Sequence, residues 1–426
     1  MSIPSRLHGR PLTLALGLLC LAPPCFGQTA APPPGSSDWL VWGGPQRDFR
    51  SAATGLADSW PATGPRRIWT RTLGEGFSAA AIEGSRLYTM YSVGGREVVT
   101  ALDAGTGKTV WEHAYPTDLS EGAGQVGAGP YAMPQVVGER VVAVGGTGKL
   151  HVLDKLTGKP IWSHDLYKEF GADRKVYGYA CQALPYRDTL IMTIGGRGKS
   201  IIAFDQKDGR VVWGRHAFNN GHSSPLLINV DGQEQVVAFM GQQVVGVDPK
   251  NGDLLWQHAH PIPYDFAIST PVWGPDNVLV VSAAYDAGTR ALHLAQQGGR
   301  TKVKELWFNP RVKVHFGTMI RVGDTLYAAS GHSGPAPVTA LDVKTGKVLW
   351  QSGREFAKAQ LLLADGKLII LDEDGVLALA TATPEGLKAH SRVPLLSKVA
   401  WTPPSLAGTR LFVRDRTQLM ALELGR

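Results

Sequence analysis

The sequence predicts an all-β fold, an eight-bladed β-propeller of four-stranded antiparallel blades, and three observations carry that prediction. One hairpin design recurs along the chain, its tryptophans fall at near-regular steps, and each chain end lacks what the other supplies. The clearest copy is Ala101-Leu102-Asp103-Ala104-Gly105-Thr106-Gly107-Lys108-Thr109-Val110-Trp111, and it returns at Asp154 to Trp162, Asp205 to Trp213, Asp248 to Trp256 and Asp342 to Trp350. In all five the acidic residue stands eight positions before the indole.

Each element of the hairpin has a local cause. The apolar residues before Asp form a strand, the Asp carboxylate accepts from backbone N–H groups of the turn, and Gly four positions later supplies a left-handed backbone. Trp then lies on the returning strand. Weaker copies end at Leu306-Trp307, after Gln296-Gln297-Gly298-Gly299, and near His390, where the Trp is gone. The indoles at Trp69, Trp111, Trp162, Trp213, Trp256, Trp307 and Trp350 are separated by 42, 51, 51, 43, 51 and 43 residues, the span of one propeller blade. Their regular period assigns them to packing between neighbouring blades.

Two further strands precede each hairpin, as in Ser78 to Ile82 followed by Arg86 to Tyr91. The last unit, Thr402 to Leu422, stops before an outer strand, and Arg67-Ile68-Trp69 has no strand and turn before it. The N-terminal strand is therefore expected to complete the C-terminal blade, closing the circle and removing exposed sheet edges.

Composition agrees. The 51 Gly and 28 Pro among 426 residues exclude a helical bundle or coiled coil, and 43% hydrophobic residues exclude disorder. The excess of 43 Lys and Arg over 36 Asp and Glu is too thin and scattered for nucleic acid.

Residues 1–27 carry Arg6 and Arg10, the apolar run Leu12 to Ala22, two prolines and the small-x-small trio Cys25-Phe26-Gly27. This is the layout of a secretory signal peptide, followed by a Pro/Ser-rich linker at 28–37 and a single propeller over 38–426. The run is too short to span a bilayer, and no transmembrane segment is expected. Cys20 follows Leu19 and Cys25 follows Pro24, without the small residue a lipid-acceptor cysteine takes, so the expectation is a periplasmic or secreted protein rather than a lipoprotein. Cys181, the remaining cysteine, reads as a buried inert thiol.

Loops entering the inner strands converge on one mouth of a propeller channel. The candidate ligand residues there are Phe77, Ser78, Tyr131, Tyr177, Tyr179, His222, Ser223, Tyr264, Asp265, His315, Phe316, Lys358 and Trp401, an aromatic-rich set that suits stacking with few hydrogen bonds. The glycine-rich stretch 122–129 is placed to cover that mouth, and His258 with His260 reads as a surface pair. No metal site and no catalytic residue is assigned.

The docking repeat resembles the quinoprotein-like eight-bladed propellers. Asp38-Trp39-Leu40-Val41-Trp42-Gly43-Gly44-Pro45-Gln46-Arg47-Asp48 resembles the opening of exported PQQ-binding-like β-propeller repeat proteins. That superfamily holds PQQ alcohol dehydrogenases and a non-enzymatic propeller lipoprotein that binds other proteins in outer-membrane barrel assembly. In the dehydrogenases the resemblance implies a quinone between a Trp floor and a disulfide of adjacent cysteines, with calcium. This sequence has no Cys-Cys pair and no Cys-x-x-Cys-His haem signature. The expectation is thus an exported, non-catalytic propeller binding an envelope protein or a small ligand, with no cofactor. The alternative is a PQQ- and calcium-dependent or metal-dependent oxidoreductase acting at the channel mouth.

Overall fold

The computed structural model describes Met1 and residues 38–118 and 129–426. Apart from Met1, the expected signal peptide and linker lie outside the described residues, as do residues 122–128 of the glycine-rich stretch. Among the described residues no helix is long and apolar enough to cross a membrane.

Eight sheets are arranged as the repeat predicts. Blade 1 consists of Ala81–Glu83, Arg86–Val93, Arg96–Asp103 and Thr109–Pro116; blades 2 to 7 follow over 135–165, 184–215, 226–259, 272–309, 319–351 and 359–394. Blade 8 takes Ser405–Ala407, Arg410–Arg414 and Gln418–Glu423 from the C-terminus and Arg66–Thr72 from the N-terminus. The closing strand is antiparallel to its neighbour, with Trp69 opposite Ala421. Blade 7 departs from four strands, because Arg50–Ser51 adds a short parallel fifth beside its inner strand.

Middle strands are buried on both faces, since a blade lies against each side of them. Val98 to Leu102 are accordingly all buried, and the sequence there reads as a continuous run rather than an alternation.

The indoles dock between blades, as their period predicts. Nε1 of Trp69, Trp111, Trp162, Trp213 and Trp307 donates to the backbone carbonyl of Ala104, Lys155, Gln206, Pro249 and Val343, each in the turn of the next blade, over 2.6–3.2 Å. The indole face then lies on the turn glycine. A Cβ added to Gly107, Gly158, Gly209, Gly252 or Gly346 would stand 2.4–2.9 Å from an indole carbon of the preceding blade. That glycine is required twice, by a φ of 70–76° and by the close approach.

Blade 5 has lost the short turn, and Trp256 answers by donating to Gln235 Oε1 of its own blade at 2.7 Å. Gln235 Nε2 then reaches Thr301 of blade 5. Trp350 donates to Thr383 O in the relaxed turn of blade 7. Every outer strand carries a register shift one position before the indole site, including blade 7, where Ser391 rather than His390 occupies that site. The place of the missing indole is covered by the N-terminal segment, where the backbone N–H of Trp60 donates to Ser391 Oγ at 2.6 Å.

His260 corrects the surface reading of the His258 pair. It is fully buried and accepts at Nδ1 from Arg290 Nε at 2.8 Å, because just past the strand end at Ala259 its backbone N–H bonds to Gln242 O and its ring packs edge-on against Phe239. Cys181 is buried, and burial pushes its thiol up to about 11, as expected of an inert group.

Candidate functional site

The channel is closed at one end by the protein's own N-terminal segment. Trp39 pairs with Ile82 of blade 1 through two hydrogen bonds of 2.9 Å, and Leu40 O accepts from Val136 N of blade 2. The chain then reverses through Gly43 and Gly44, both at positive φ, and leaves with Phe49 O accepting from Leu363 N of blade 7. At the top of this loop Trp42 Nε1 donates to Thr270 Oγ1 of blade 5 at 2.9 Å. One loop thus touches blades 1, 2, 5 and 7 and makes the indole of Trp42 a floor.

Above that floor lies a cup of about 130 Å³, open at the opposite face. Its wall is aromatic: Phe77, Tyr131, Tyr177, Phe316 and Trp401, with His222 and His315. Phe77 stacks on Tyr131 with centroids 5.1 Å apart, and on its other side lies 5.4 Å from Trp401, which is 5.1 Å from Phe316. Ala180, Gln182, Ser224, Ile268, Thr270, Gln360 and Pro403 complete the lining.

Of the sequence-predicted residues, Phe77, Tyr131, Tyr177, His222, His315, Phe316 and Trp401 are brought together in the cup. Lys358 stands just behind the wall, 5.2 Å from the Phe316 centroid and 5.6 Å from that of Trp401, and ion-pairs with Glu373 at 2.9 Å. Glu373 also accepts from Trp401 Nε1.

Five predicted residues lie elsewhere. Ser78 and Ser223 point between blades, where their hydroxyls donate to Ala132 O and Ser269 O. Tyr179 is buried in blade 3 and donates to Thr193 O at 2.6 Å. Tyr264 is 76% exposed on the rim. Asp265 pairs with Lys175 at 3.6 Å and accepts from Asn219 and Gln242. The physical reason is the two-residue period of a strand: Ser78, Tyr179 and Ser223 are one residue out of phase with Phe77, Ala180 and His222. Extending that period by two would have found Gln182, Ser224 and Gln360. Trp42 has no such local signal.

A wider recess of about 540 Å³ opens on the same face between Thr117, Tyr167 and Lys175. Its cations serve neighbouring acids: Lys149 and Lys168 share Asp165 at 3.7 and 3.8 Å.

Most polar groups of the cup are already engaged. Trp42 is bonded to Thr270, Ser224 Oγ donates to Gln182 Oε1, and Gln360 Nε2 donates to Phe316 O and Trp401 O. Among the described residues, three buried atoms of the cup have no hydrogen-bond partner: His222 Nε2, His315 Nδ1 and Gln360 Oε1. Burial, reinforced by Lys175, lowers His222 to about 4; burial, reinforced by Lys358, His332 and His222, lowers His315 to about 3. Both imidazoles are neutral at pH 7.

This has a sign. Between the ordinary value of 6.5 and about 4 the unfolded chain holds more protons at His222 than the folded one, so stability falls as pH drops through that window. The slope is at most about 1.4 kcal/mol per pH unit per imidazole. His222→Gln is expected to flatten the urea-melt stability profile between those limits, and an unchanged slope would show that His222 is solvated and titrates normally.

Among the described residues no acid or ammonium lines the cup, and no cluster of three His, Cys, Asp or Glu could hold a metal ion.

A family model described as outer membrane protein assembly factor BamB matches residues 95–352. The chain is 26% identical over 332 residues to the protein of that name from Burkholderia pseudomallei, covering 72% of this chain and 74% of the relative. It is 22% identical over 271 residues to that from Shewanella oneidensis, covering 59% and 63%. Among solved structures, BamB from Moraxella catarrhalis aligns with a TM-score of 0.61 at 17% identity, over 84% of this chain and 99% of that one. The quinohemoprotein alcohol dehydrogenase from Comamonas testosteroni aligns with a TM-score of 0.64 at 12% identity, over 91% and 81%. At such identities both structures speak for the fold alone. The family match runs from the third strand of blade 1 to the outer strand of blade 6, more than half of the chain, and on that ground the protein belongs to the PQQ-repeat propeller family of outer membrane protein assembly factor BamB.

Proposed function

We propose that this protein is an exported, non-catalytic propeller of the cell envelope that works by binding, with a protein as its main partner. The observation that carries this reading is the self-plugged channel: the loop 39–51 occupies one end, and the cup at the other offers no carboxylate and no free ammonium. A general acid or base works best with a pKa near the working pH, which burial takes from both imidazoles of the cup, and a catalytic metal needs a ligand set that its lining does not offer. The names of the curated relatives support a role beside other envelope proteins.

The residues of the cup do not fit the cofactor of the oxidoreductase alternative. A tricyclic quinone with three carboxylates exceeds a cup of about 130 Å³, and its anionic groups would meet no cation, since Lys358 is paired with Glu373. Calcium takes six to eight oxygen ligands, several from carboxylates, and none lines the cup.

Titration of the purified protein with PQQ and calcium, followed by absorbance, is expected to give no saturating complex. Photo-cross-linking from the exposed rim residue Tyr264 in envelope membranes is expected to yield one dominant adduct with an outer-membrane assembly protein. A stoichiometric quinone complex, or an absence of any protein adduct from that rim, would overturn the reading.

A further inference from the structure

We infer that the cup is a binding site for a neutral phenol-type ring, a role that goes beyond protein binding by the propeller and stands or falls separately from it. Three unpartnered atoms define the site: Gln360 Oε1, His222 Nε2 and His315 Nδ1. Gln360 is 1% exposed and His222 7%, so these groups are withdrawn from solvent and, among the described residues, without partners. Leaving a buried polar group unpaired costs about 1–3 kcal/mol, which a suitable ligand recovers.

Their chemistry selects the ligand. Gln360 lines the cup and its amide is fixed by Nε2, which donates to two carbonyls, so the buried Oε1 is left only as an acceptor and demands an O–H or N–H. Each neutral imidazole presents either a lone pair or an N–H, according to its tautomer. A phenolic hydroxyl satisfies both kinds of partner at once, donating to the amide oxygen and accepting from an imidazole N–H. Size selects a single ring, because an apolar cavity of about 150 Å³ holds one benzene and this cup measures about 130 Å³ with one side open. The wall of Phe77, Tyr131, Phe316 and Trp401 above the Trp42 floor supplies flat apolar faces. Charge is excluded, since an ion would lose its water and meet no opposite charge on the lining.

The probes are p-cresol, toluene, p-toluate and 4-methylbenzylammonium, titrated at pH 7 and followed by calorimetry and ligand-observed NMR. We expect p-cresol to bind, toluene to bind roughly tenfold more weakly or worse, and neither ion to bind. Ala180→Leu fills the cup without removing a hydrogen bond and is expected to abolish p-cresol binding while leaving the melting temperature within a few degrees. Gln360→Met is expected to erase the preference for p-cresol over toluene. The same ring can arrive free or as a tyrosine side chain, and a blocked Ala-Tyr-Ala peptide separates the two. Binding at least as tight as that of p-cresol assigns the site to a polypeptide, and weaker binding to a free molecule. Equal affinity of the native protein for toluene and p-cresol, or no p-cresol binding at millimolar concentration, overturns the inference whatever the variants do.

Discussion

Arg414→Leu is expected to remove about 4 kcal/mol of stability, seen as a fall in melting temperature of roughly 5 °C for a propeller of this size. Arg414 is 1% exposed and sits where the last C-terminal blade meets blade 1. Its Nη1 donates to Ser78 O, Thr89 Oγ1 and Met90 O, at 3.2, 3.2 and 2.6 Å, and its Nη2 to Gly74 O at 3.3 Å. Leucine would fill part of the space but orphan carbonyls that water cannot reach. Burial lowers the guanidinium only to about 10, so it stays charged at neutral pH, held by neutral acceptors. Arg414→Lys keeps the charge without the planar fork and is expected to recover only part of the loss. Calorimetric melts of the three proteins check this, and a loss below about 1 kcal/mol for the leucine variant would show that the contact is dispensable.

The second large effect is expected at the indole docking between blades 1 and 2. Trp111→Ala should cost about 3–5 kcal/mol, through the cavity and through loss of the bond from Nε1 to Lys155 O, here 3.0 Å. Gly158→Ala should cost about 2–3 kcal/mol, because its φ of +71° strains any side chain and the new methyl would press within 2.4 Å of Trp111 Cε3. The double variant decides the mechanism. With the indole gone the methyl has room, so the two costs should fall short of additivity by about 1–2 kcal/mol. Denaturant melts of the four proteins give this coupling, and strict additivity would mean that only the backbone strain at Gly158 matters. The same geometry recurs at Gly107, Gly209, Gly252 and Gly346, so the effect should repeat around the circle.

The fold was legible because its determinants are local and repeated. An Asp such as Asp103, whose Oδ1 accepts from Gly105 N, Thr106 N and Thr106 Oγ1, fixes its turn whatever surrounds it. The site was only half legible. Phe77, His222 and His315 were found because loops entering the inner strands must converge, whereas Ser78, Tyr179 and Ser223 were misplaced by a single residue of phase. Nothing in a strand's own sequence distinguishes its channel face from its inter-blade face when apolar and small polar residues occupy both.

The sequence by itself determined the number and order of the blades, the docking tryptophans and the meeting of the two ends, since turn chemistry, strand period and repeat spacing act within one unit and its neighbour. Only the tertiary structure decided that residues 39–51 plug one end with Trp42 as a floor, that Arg414 locks blade 8 onto blade 1, and that three residues lining a cup each keep a buried polar atom unpaired. Each of those depends on groups between 41 and 340 positions apart in the chain, such as Gln360 with Trp401 and Arg414 with Gly74, and which distant groups meet is settled by the closure of the whole circle rather than by any local pattern.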